Sequence, residues 1–146
     1  MKLTNYTDYA LRVLMYLALK KDEELTTIQE IADAYHISKN HLMKIIHHLG
    51  KLEYIVTIRG RNGGFKLAKH PKDINIGEVV SKTEDDFNIV ECFKSGGGYC
   101  AISPSCKLKF ALNEALQAFI NVLNGYTLED LVTNKTDLLG LFRSQN

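Results

Sequence analysis

The chain has 146 residues, of which 45% are apolar, and a formal net charge of +1. This is the size and composition of one globular domain, or of one domain with an appended dimerisation element. The N-terminus has no signal-peptide pattern, and its most apolar run, residues 10–19, contains Arg12 and is too short to cross a bilayer. We therefore expect a cytoplasmic protein with no membrane partner, whose thiols stay reduced.

Charge is unevenly distributed along the chain. Residues 36–70 carry seven Lys or Arg and one acidic residue, and they contain all five histidines. Residues 1–35 and 71–146 are both net acidic. A basic central third in a near-neutral chain is typical of a protein that binds a polyanion, although a solvated basic surface has the same composition.

The N-terminal third predicts three amphipathic helices. The first begins near Asn5, which we expect to be its N-cap, with Asp8 completing an approximate capping box three residues later. Thr27 and Glu30 have the spacing of a capping box for a short second helix. Ser38 is expected to cap the third helix, which combines an apolar stripe with a basic polar face.

The second and third helices are joined by a tight turn, which is typical of a helix-turn-helix, although an ordinary helical hairpin has the same pattern. A predicted β-hairpin follows, with strands at 54–58 and 65–68 and an Asn-Gly turn between them. A basic hairpin in this position is typical of a wing. Arg59 and Arg61 at its tip would suit DNA phosphates or a narrow minor groove.

A short helix is expected at residues 74–83, and an acidic segment then leads into a loop that contains every cysteine. Cys92, Cys100 and Cys106 are separated by seven and five residues, and three consecutive glycines lie between the first two. Clustered cysteines in a reducing compartment indicate metal or redox chemistry.

The wide spacing and the flexible glycines of the cysteine loop favour an iron–sulfur cluster over other uses of the thiols. The loop supplies three thiolates, so one iron would take a weaker ligand and be open to attack by a diatomic gas or an oxidant. The alternatives are a thiol redox switch, structural zinc, which usually has a tighter Cys-x-x-Cys pair, and inert structural cysteines.

After the loop, the sequence predicts a long helix with apolar residues on two faces. A chain of this size has little core left to bury both, so we expect one face to pack on a second subunit; a fully internal helix is the alternative. Thr127 is expected to cap a short final helix. One face comprises Leu108, Ala111, Leu112, Ala115, Phe119 and Val122, and the other comprises Leu116, Ile120 and Leu123.

In combination, these motifs resemble the Rrf-type winged-helix repressors from residue 1 to about residue 125. The matching segments are 1–12, 31–32, 37–42, 59–68, 76–80 and the cysteine loop. The resemblance implies a mostly α fold with a small β wing, in which a winged helix-turn-helix domain is joined to a long dimerisation helix. It also implies a homodimer that binds double-stranded operator DNA.

Within that family, the chain is most similar to the nitric-oxide-sensing branch. The branch that regulates iron–sulfur assembly has a ligand histidine three residues after the last cysteine, where this chain has Lys109. The nitric-oxide-sensing branch holds a 4Fe–4S cluster whose fourth ligand is an aspartate from the first helix of the other subunit. That aspartate corresponds to Asp8. The alternative to a 4Fe–4S cluster is a 2Fe–2S cluster.

The resemblance therefore implies a repressor that loses its affinity for operator DNA when nitric oxide attacks the cluster. Residues 1–83 would form the DNA-binding domain, 84–106 the cluster loop, and 107–146 the dimerisation helix and tail. The expected cluster ligands are Cys92, Cys100, Cys106 and Asp8 of the other subunit. The expected DNA contacts are Ser38, Lys39, Asn40, His41, Lys44, Arg59 and Arg61.

Three other functions are compatible with parts of the sequence. A regulator of iron–sulfur assembly and a thiol-redox-responsive regulator belong to the same class as the main hypothesis. A cluster-carrying or thiol-redox enzyme belongs to a different class. We expect no enzyme, because the chain has neither a Cys-x-x-Cys motif nor a catalytic cysteine–histidine pattern.

Overall fold

The computed structural model describes residues 1–145. It confirms the predicted fold class, mostly α-helical with a small β wing. Single 3₁₀ turns lie at 71–73, 91–93, 103–105 and 130–132. The elements in chain order are α1 (Asn5–Ala18), α2 (Ile28–Tyr35), α3 (Lys39–Lys51), β1 (Ile55–Ile58), β2 (Gly64–Leu67), α4 (Ile76–Thr83), α5 (Lys107–Asn124) and α6 (Lys135–Arg143).

Helix α1 begins one residue earlier than its sequence suggests. Thr4 is the N-cap, and its Oγ1 accepts a hydrogen bond of 3.2 Å from the backbone N–H of Thr7. The prediction that Asn5 caps α1 together with Asp8 is wrong, because Asn5 already lies in the helix. The Asp8 carboxylate is instead paired with Arg12, one turn further along.

The caps of α2 and α3 agree with the sequence. Thr27 and Glu30 form the predicted capping box, and Ser38 Oγ accepts a hydrogen bond from the backbone N–H of His41. His36 lies between the two helices in the left-handed region, with φ of 54°. This conformation makes the sharp turn of the helix-turn-helix, although a side chain disfavours it.

Helices α1 to α4 and the first residues of the wing bury one hydrophobic core. The core places α1 against α3 and leaves one face of α3 in solvent. Its largest fully buried members are Leu14, Ile31, Leu42, Ile45, Leu49, Tyr54, Ile74 and Leu128.

The wing is a two-stranded antiparallel hairpin in which Ile55 pairs with Leu67 and Ile58 pairs with Gly64. Strand β2 is fixed near its loop end to the segment before α2, because Thr26 and Phe65 exchange two backbone hydrogen bonds of 2.9 Å. The hairpin loop at 59–63 therefore begins close to an anchored part of the strand pair.

The end of α5 is anchored on α4. Asn75 caps α4, and its Nδ2 also donates to the carbonyl oxygen of Asn124 at 2.7 Å. Gly77 allows this approach, since a Cβ there would lie 2.8 Å from the backbone nitrogen of Asn124. The anchor fixes the C-terminal end of α5 against the start of α4.

Helix α5 presents one apolar face to the domain and another to solvent, as expected, but the membership of the two faces differs from the prediction. Leu112 and Phe119 are half-buried and lie on the inner face with the buried Leu116. Ala118, which belonged to neither predicted face, is exposed on the outer face. The outer stripe, defined here as Leu108, Ala111, Ala115, Ala118 and Val122, is exposed and repeats at alternating spacings of three and four residues.

The C-terminal segment also differs from the prediction. Thr127 and Asp130 bond to each other reciprocally, but they open a 3₁₀ turn, and the α-helix of this segment is α6. Asn146, the last residue of the segment predicted at 107–146, lies outside the described residues. No helix within residues 1–145 is both long and apolar enough to cross a membrane.

Candidate DNA-binding face and cysteine loop

The polar face of α3 is a candidate DNA-binding surface. Leu42, Ile45 and Leu49 anchor the opposite face in the core. Because these residues fix the rotation of α3, the side chains on the opposite face of the helix point to solvent. All five residues predicted on this helix are exposed: Ser38, Lys39, Asn40, His41 and Lys44.

Arg59 and Arg61 lie exposed in the loop of the wing. Within residues 1–145, neither these arginines nor Lys39 and Lys44 form an ion pair with a carboxylate. Unpaired cations on a helix and an adjacent wing are available to neutralise phosphates, which is the main source of affinity for DNA.

Met43 belongs to the same surface, although the sequence analysis did not single it out. Its side chain is 55% exposed. The sequence spacing could have identified Met43 as part of this surface. It lies three residues from Asn40 and four from His47 on α3, and residues at these spacings share a helical face. An exposed apolar side chain in a basic surface suits contact with base edges more than contact with phosphates.

Helix α1 contacts α3 through two tyrosines, Tyr6 and Tyr9. The hydroxyl of Tyr6 is hydrogen-bonded to Nδ1 of His48 at 2.8 Å, and the two rings are 5.8 Å apart. The ring of Tyr9 lies 6.4 Å from that of His41. Burial, and secondarily the charge of Asp85, raise the pKa of Tyr6, so its hydroxyl stays neutral near pH 7.

Asp8 is held in a two-pronged ion pair by Arg12. The Nε–H of Arg12 donates to one carboxylate oxygen at 3.1 Å, and its Nη2 lies 2.8 Å from the other. The guanidinium also lies over the rings of Tyr9 and Tyr35, at 5.7 and 5.8 Å from their centroids. Both charged side chains are 43% exposed, so the carboxylate is accessible from outside the subunit.

The three cysteines are free thiols at separate points of one loop. Cys92 lies in the 3₁₀ turn at 91–93 and is half-buried, whereas Cys100 is exposed. Cys106 is the N-cap of α5, and its Sγ accepts a hydrogen bond of 3.4 Å from the backbone N–H of Lys109. A helix N-terminus favours a negatively charged ligand at this position.

The glycines of the loop allow it to fold closely around Glu91, the residue before Cys92. A Cβ at Gly97 would lie 2.4 Å from the backbone oxygen of Glu91, and one at Gly98 would lie 2.2 Å from its carboxylate. Gly96 has a φ of 72°, which a side chain disfavours. A side chain at Gly97 would therefore displace the loop backbone, whereas the Glu91 carboxylate can move away from one at Gly98.

Within residues 1–145, no three His, Cys, Asp or Glu side chains are close enough together to hold a metal ion. The three sulfurs and Asp8 are therefore not gathered within the single subunit. The chemistry of the donors nevertheless fits an iron–sulfur cluster, since three free thiols share one loop and one of them lies at a helix N-terminus.

Comparison with known proteins confirms the predicted family over almost the whole chain. The family described as "Rrf2: Iron-dependent Transcriptional regulator" matches residues 3–134. The chain is 62% identical over 143 residues to the HTH-type transcriptional regulator NsrR of Bacillus subtilis, covering 98% of each protein. It is 55% identical to the regulator of the same name from Oceanobacillus iheyensis, covering 97% of this chain and 96% of the relative.

Solved structures share the fold. The T. potens IscR structure aligns with a TM-score of 0.72 at 21% identity, covering 92% of this chain and 88% of that one. The structure of CymR, the global cysteine regulator of B. subtilis, aligns with a TM-score of 0.70 at 25% identity, covering 92% and 98%. With a family match over 132 of 146 residues and curated relatives above 60% identity, the chain belongs to the Rrf2 family of transcriptional regulators.

Proposed function

We propose that this transcriptional regulator is a nitric-oxide-responsive repressor that binds operator DNA as a homodimer. It acts by binding rather than by catalysis, and it works in the cytoplasm, where its thiols stay reduced. The high identity to regulators named NsrR supports this function. The exposed, unpaired cations of α3 and of the wing support the choice of DNA as the partner.

Cys92, Cys100 and Cys106 are the proposed thiolate ligands of an iron–sulfur cluster, of the 4Fe–4S type, and Asp8 of the second subunit is the proposed fourth ligand. Bound there, such a cluster supplies iron to which nitric oxide can bind. The accessible carboxylate of Asp8, with 43% side-chain exposure, is compatible with a ligand offered to another subunit.

The outer stripe of α5 is the proposed dimer contact. Its alternating spacings of three and four residues match the seam of two packed helices, and its exposure in a single subunit leaves it free for a partner. A two-fold dimer presents its two α3 helices to successive turns of the major groove, about 34 Å apart. In this arrangement Lys39, Asn40, His41 and Lys44 approach bases and phosphates, and Arg59 and Arg61 approach the flanking minor groove.

One observation carries the link between the loop and DNA binding: α1 bears both Asp8 and the tyrosines that contact α3. Tyr6 bonds to His48, and Tyr9 packs on His41. A change in the groups bound to the Asp8 carboxylate would therefore displace α1, which contacts α3 directly. This is a physical basis for coupling, since both ends act on one rigid element.

Spectroscopy of anaerobically purified protein tests this function. We expect a brown protein whose visible absorption changes on addition of nitric oxide, and whose iron content falls sharply in Cys100→Ala. Lys94→Ala, an exposed substitution in the same loop, is the matched control and should retain the colour. A colourless protein that contains zinc would contradict the proposed cofactor.

A thiol-redox-responsive regulator is the second candidate, favoured by the exposed, free thiol of Cys100. That function predicts that a thiol oxidant releases the protein from DNA in the complete absence of iron, and that Cys100→Ala abolishes this response. The two functions are therefore separated by the requirement for iron.

A further inference from the structure

Helix α6 packs on the DNA-binding domain close to the Asp8–Arg12 ion pair. Phe142, at the end of α6, contacts the rings of Tyr16 and Tyr35 with centroid distances of 5.3 and 5.2 Å and interplanar angles of 75° and 89°. Tyr16 and Tyr35 also meet each other, at 6.1 Å. Edge-to-face contacts are a preferred arrangement of aromatic rings, so Phe142 completes a three-ring cluster.

The cluster continues directly to the ion pair. The hydroxyl of Tyr35 donates a hydrogen bond of 3.2 Å to the backbone oxygen of Arg12, and the guanidinium of Arg12 lies 5.8 Å from the centroid of the Tyr35 ring. The same guanidinium holds both oxygens of Asp8. Phe142, Tyr35, Arg12 and Asp8 therefore form a continuous series of contacts from the C-terminal helix to α1.

Asp8 needs such support if it is a ligand for another subunit. A half-exposed ion pair between residues four apart on a helix constrains its side chains only weakly. A ligand carboxylate must instead be held in one orientation by neighbouring groups. The ring of Tyr35 supplies a flat surface beside Arg12, and Phe142 packs against that ring edge-to-face.

Helix α6 begins at residue 135, immediately beyond the segment that matches the family. We propose that α6 is a brace: Phe142 fixes Tyr35, and Tyr35 holds Arg12 so that the Asp8 carboxylate is presented in one orientation. Phe142, Tyr35 and Arg12 are thus positioning residues. The inference rests on the proposed function of Asp8 as a ligand, and it adds the C-terminal helix to the machinery that orients that ligand.

The test compares Phe142→Ala with Leu141→Ala, its neighbour on α6, whose side chain is 62% exposed and outside the cluster. In cluster-free protein, the Nε–H resonance of Arg12 in proton–nitrogen NMR spectra reports its hydrogen bond to Asp8; Asp8→Asn identifies the shift caused by losing the carboxylate. We expect Phe142→Ala to move this resonance towards its position in Asp8→Asn, and Leu141→Ala to leave it unchanged. An unchanged resonance in Phe142→Ala would overturn the proposal.

Two further measurements complete the test. Tyr35→Phe keeps the ring and removes the hydrogen bond to Arg12, so it should shift the resonance in the same direction by less; no shift would count against the brace even if Phe142→Ala folds poorly. In iron-loaded protein, a chelator should remove iron about threefold to tenfold faster from Phe142→Ala than from Leu141→Ala. Equal rates would overturn the functional part of the proposal.

The experiments distinguish an error in the proposed brace from an error in the proposal that Asp8 is a ligand. If Asp8→Asn retains the iron content, chelator resistance and nitric-oxide response of the unmodified protein, then Asp8 is not the ligand and the proposed function fails at that residue. The Arg12 resonance is measured without iron, so it still decides whether α6 holds Arg12.

Discussion

Tyr35 combines burial, a hydrogen bond and contact with a cation in one side chain. Burial raises its pKa to about 12, although the positive charge of Arg12 opposes the shift. Because the ordinary value is about 10, the neutral hydroxyl is favoured by folding. Its stabilising contribution is fully present below pH 10 and is lost as the pH rises towards 12.

Alkaline titration should therefore separate Tyr35 from less buried tyrosines. Ultraviolet absorption near 295 nm should show one phenol ionising near pH 12 in the native protein, and Tyr35→Phe should lack that step. The stability difference between the two proteins should shrink between pH 10 and 12. A Tyr35→Phe titration identical to the wild-type curve above pH 11 would contradict this environment.

His36 is the residue where backbone strain is most easily tested. Its φ of 54° in the turn between α2 and α3 is a conformation that glycine adopts without cost. We expect His36→Gly to raise the free energy of unfolding by about 1 kcal/mol. The same substitution at the exposed mid-helix residue His47 should lower it by about 0.3–0.5 kcal/mol.

Urea unfolding at one fixed protein concentration measures both variants, since the stability of an oligomer depends on concentration. Opposite signs for the two substitutions are expected. A loss of stability in His36→Gly would show that the His36 side chain contributes more than its backbone conformation costs.

Sequence alone accounts for some of these residue-scale features. The Asp8–Arg12 pair follows the four-residue spacing of helix neighbours, and it could have been predicted in place of the capping function assigned to Asp8. The contact of Tyr35 with Phe142 could not, because the two residues are distant in the chain and only tertiary packing brings their rings together.

At the scale of elements, the junction of α4 with α5 depends on the absence of a side chain at Gly77. In Gly77→Ala the new Cβ would lie 2.8 Å from the backbone nitrogen of Asn124 and closer still to its side chain. The side chain can rotate away, but the backbone cannot, so we expect a loss of about 1–3 kcal/mol.

Gly140 is the matched control for Gly77. It lies within α6, and a Cβ there would meet nothing within 4 Å. Gly140→Ala should therefore stabilise the protein by about 0.5–1 kcal/mol, as alanine does in an exposed helix. Thermal unfolding should order the proteins Gly140→Ala, wild type, Gly77→Ala; any other order would contradict the described packing.

The elements that could be predicted are those with strong local signals. The capping box of α2 and the cap of α3 act within a few residues, and both are present. The predicted hairpin is present too, but its loop spans 59–63 and has its positive φ at Gly60, so it is not a two-residue Asn-Gly turn. Helix α6 has none of these signals: Asn134 forms no side-chain cap, and Gly140 interrupts the helix-forming residues. Its formation depends on the surface on which Phe142 packs.

At the scale of the whole molecule, the outer stripe of α5 predicts a dimer that a single charge can weaken. Ala118→Glu places a carboxylate in the middle of the stripe, whereas Gln117→Glu adds the same charge at an exposed position outside it. Sedimentation should show a dimer dissociation constant at least about tenfold higher for Ala118→Glu than for the wild type, because burial of an unpaired charge is costly. Gln117→Glu should associate as the wild type does; equal behaviour of the variants would place the dimer contact elsewhere.

The two-faced character of α5 could be read from its sequence, but the assignment of Leu112 and Phe119 could not. Both residues lie on the inner face and not on the outer face where the pattern placed them, because the anchor of Asn124 on α4 fixes the rotation of the helix. In the same way, the sequence places three thiols in one loop, but it does not show that within residues 1–145 they lie too far apart to hold a metal ion together.

The central claim is that an iron–sulfur cluster in the cysteine loop controls binding to DNA by α3 and the wing. It is tested most directly by anaerobic titration of iron-loaded protein onto an operator selected from a random duplex library, with and without nitric oxide, beside Cys100→Ala. We predict tight binding that nitric oxide weakens at least tenfold, and weak binding by Cys100→Ala that nitric oxide does not change. If Cys100→Ala binds and responds as the wild type does, the cluster does not control this repressor.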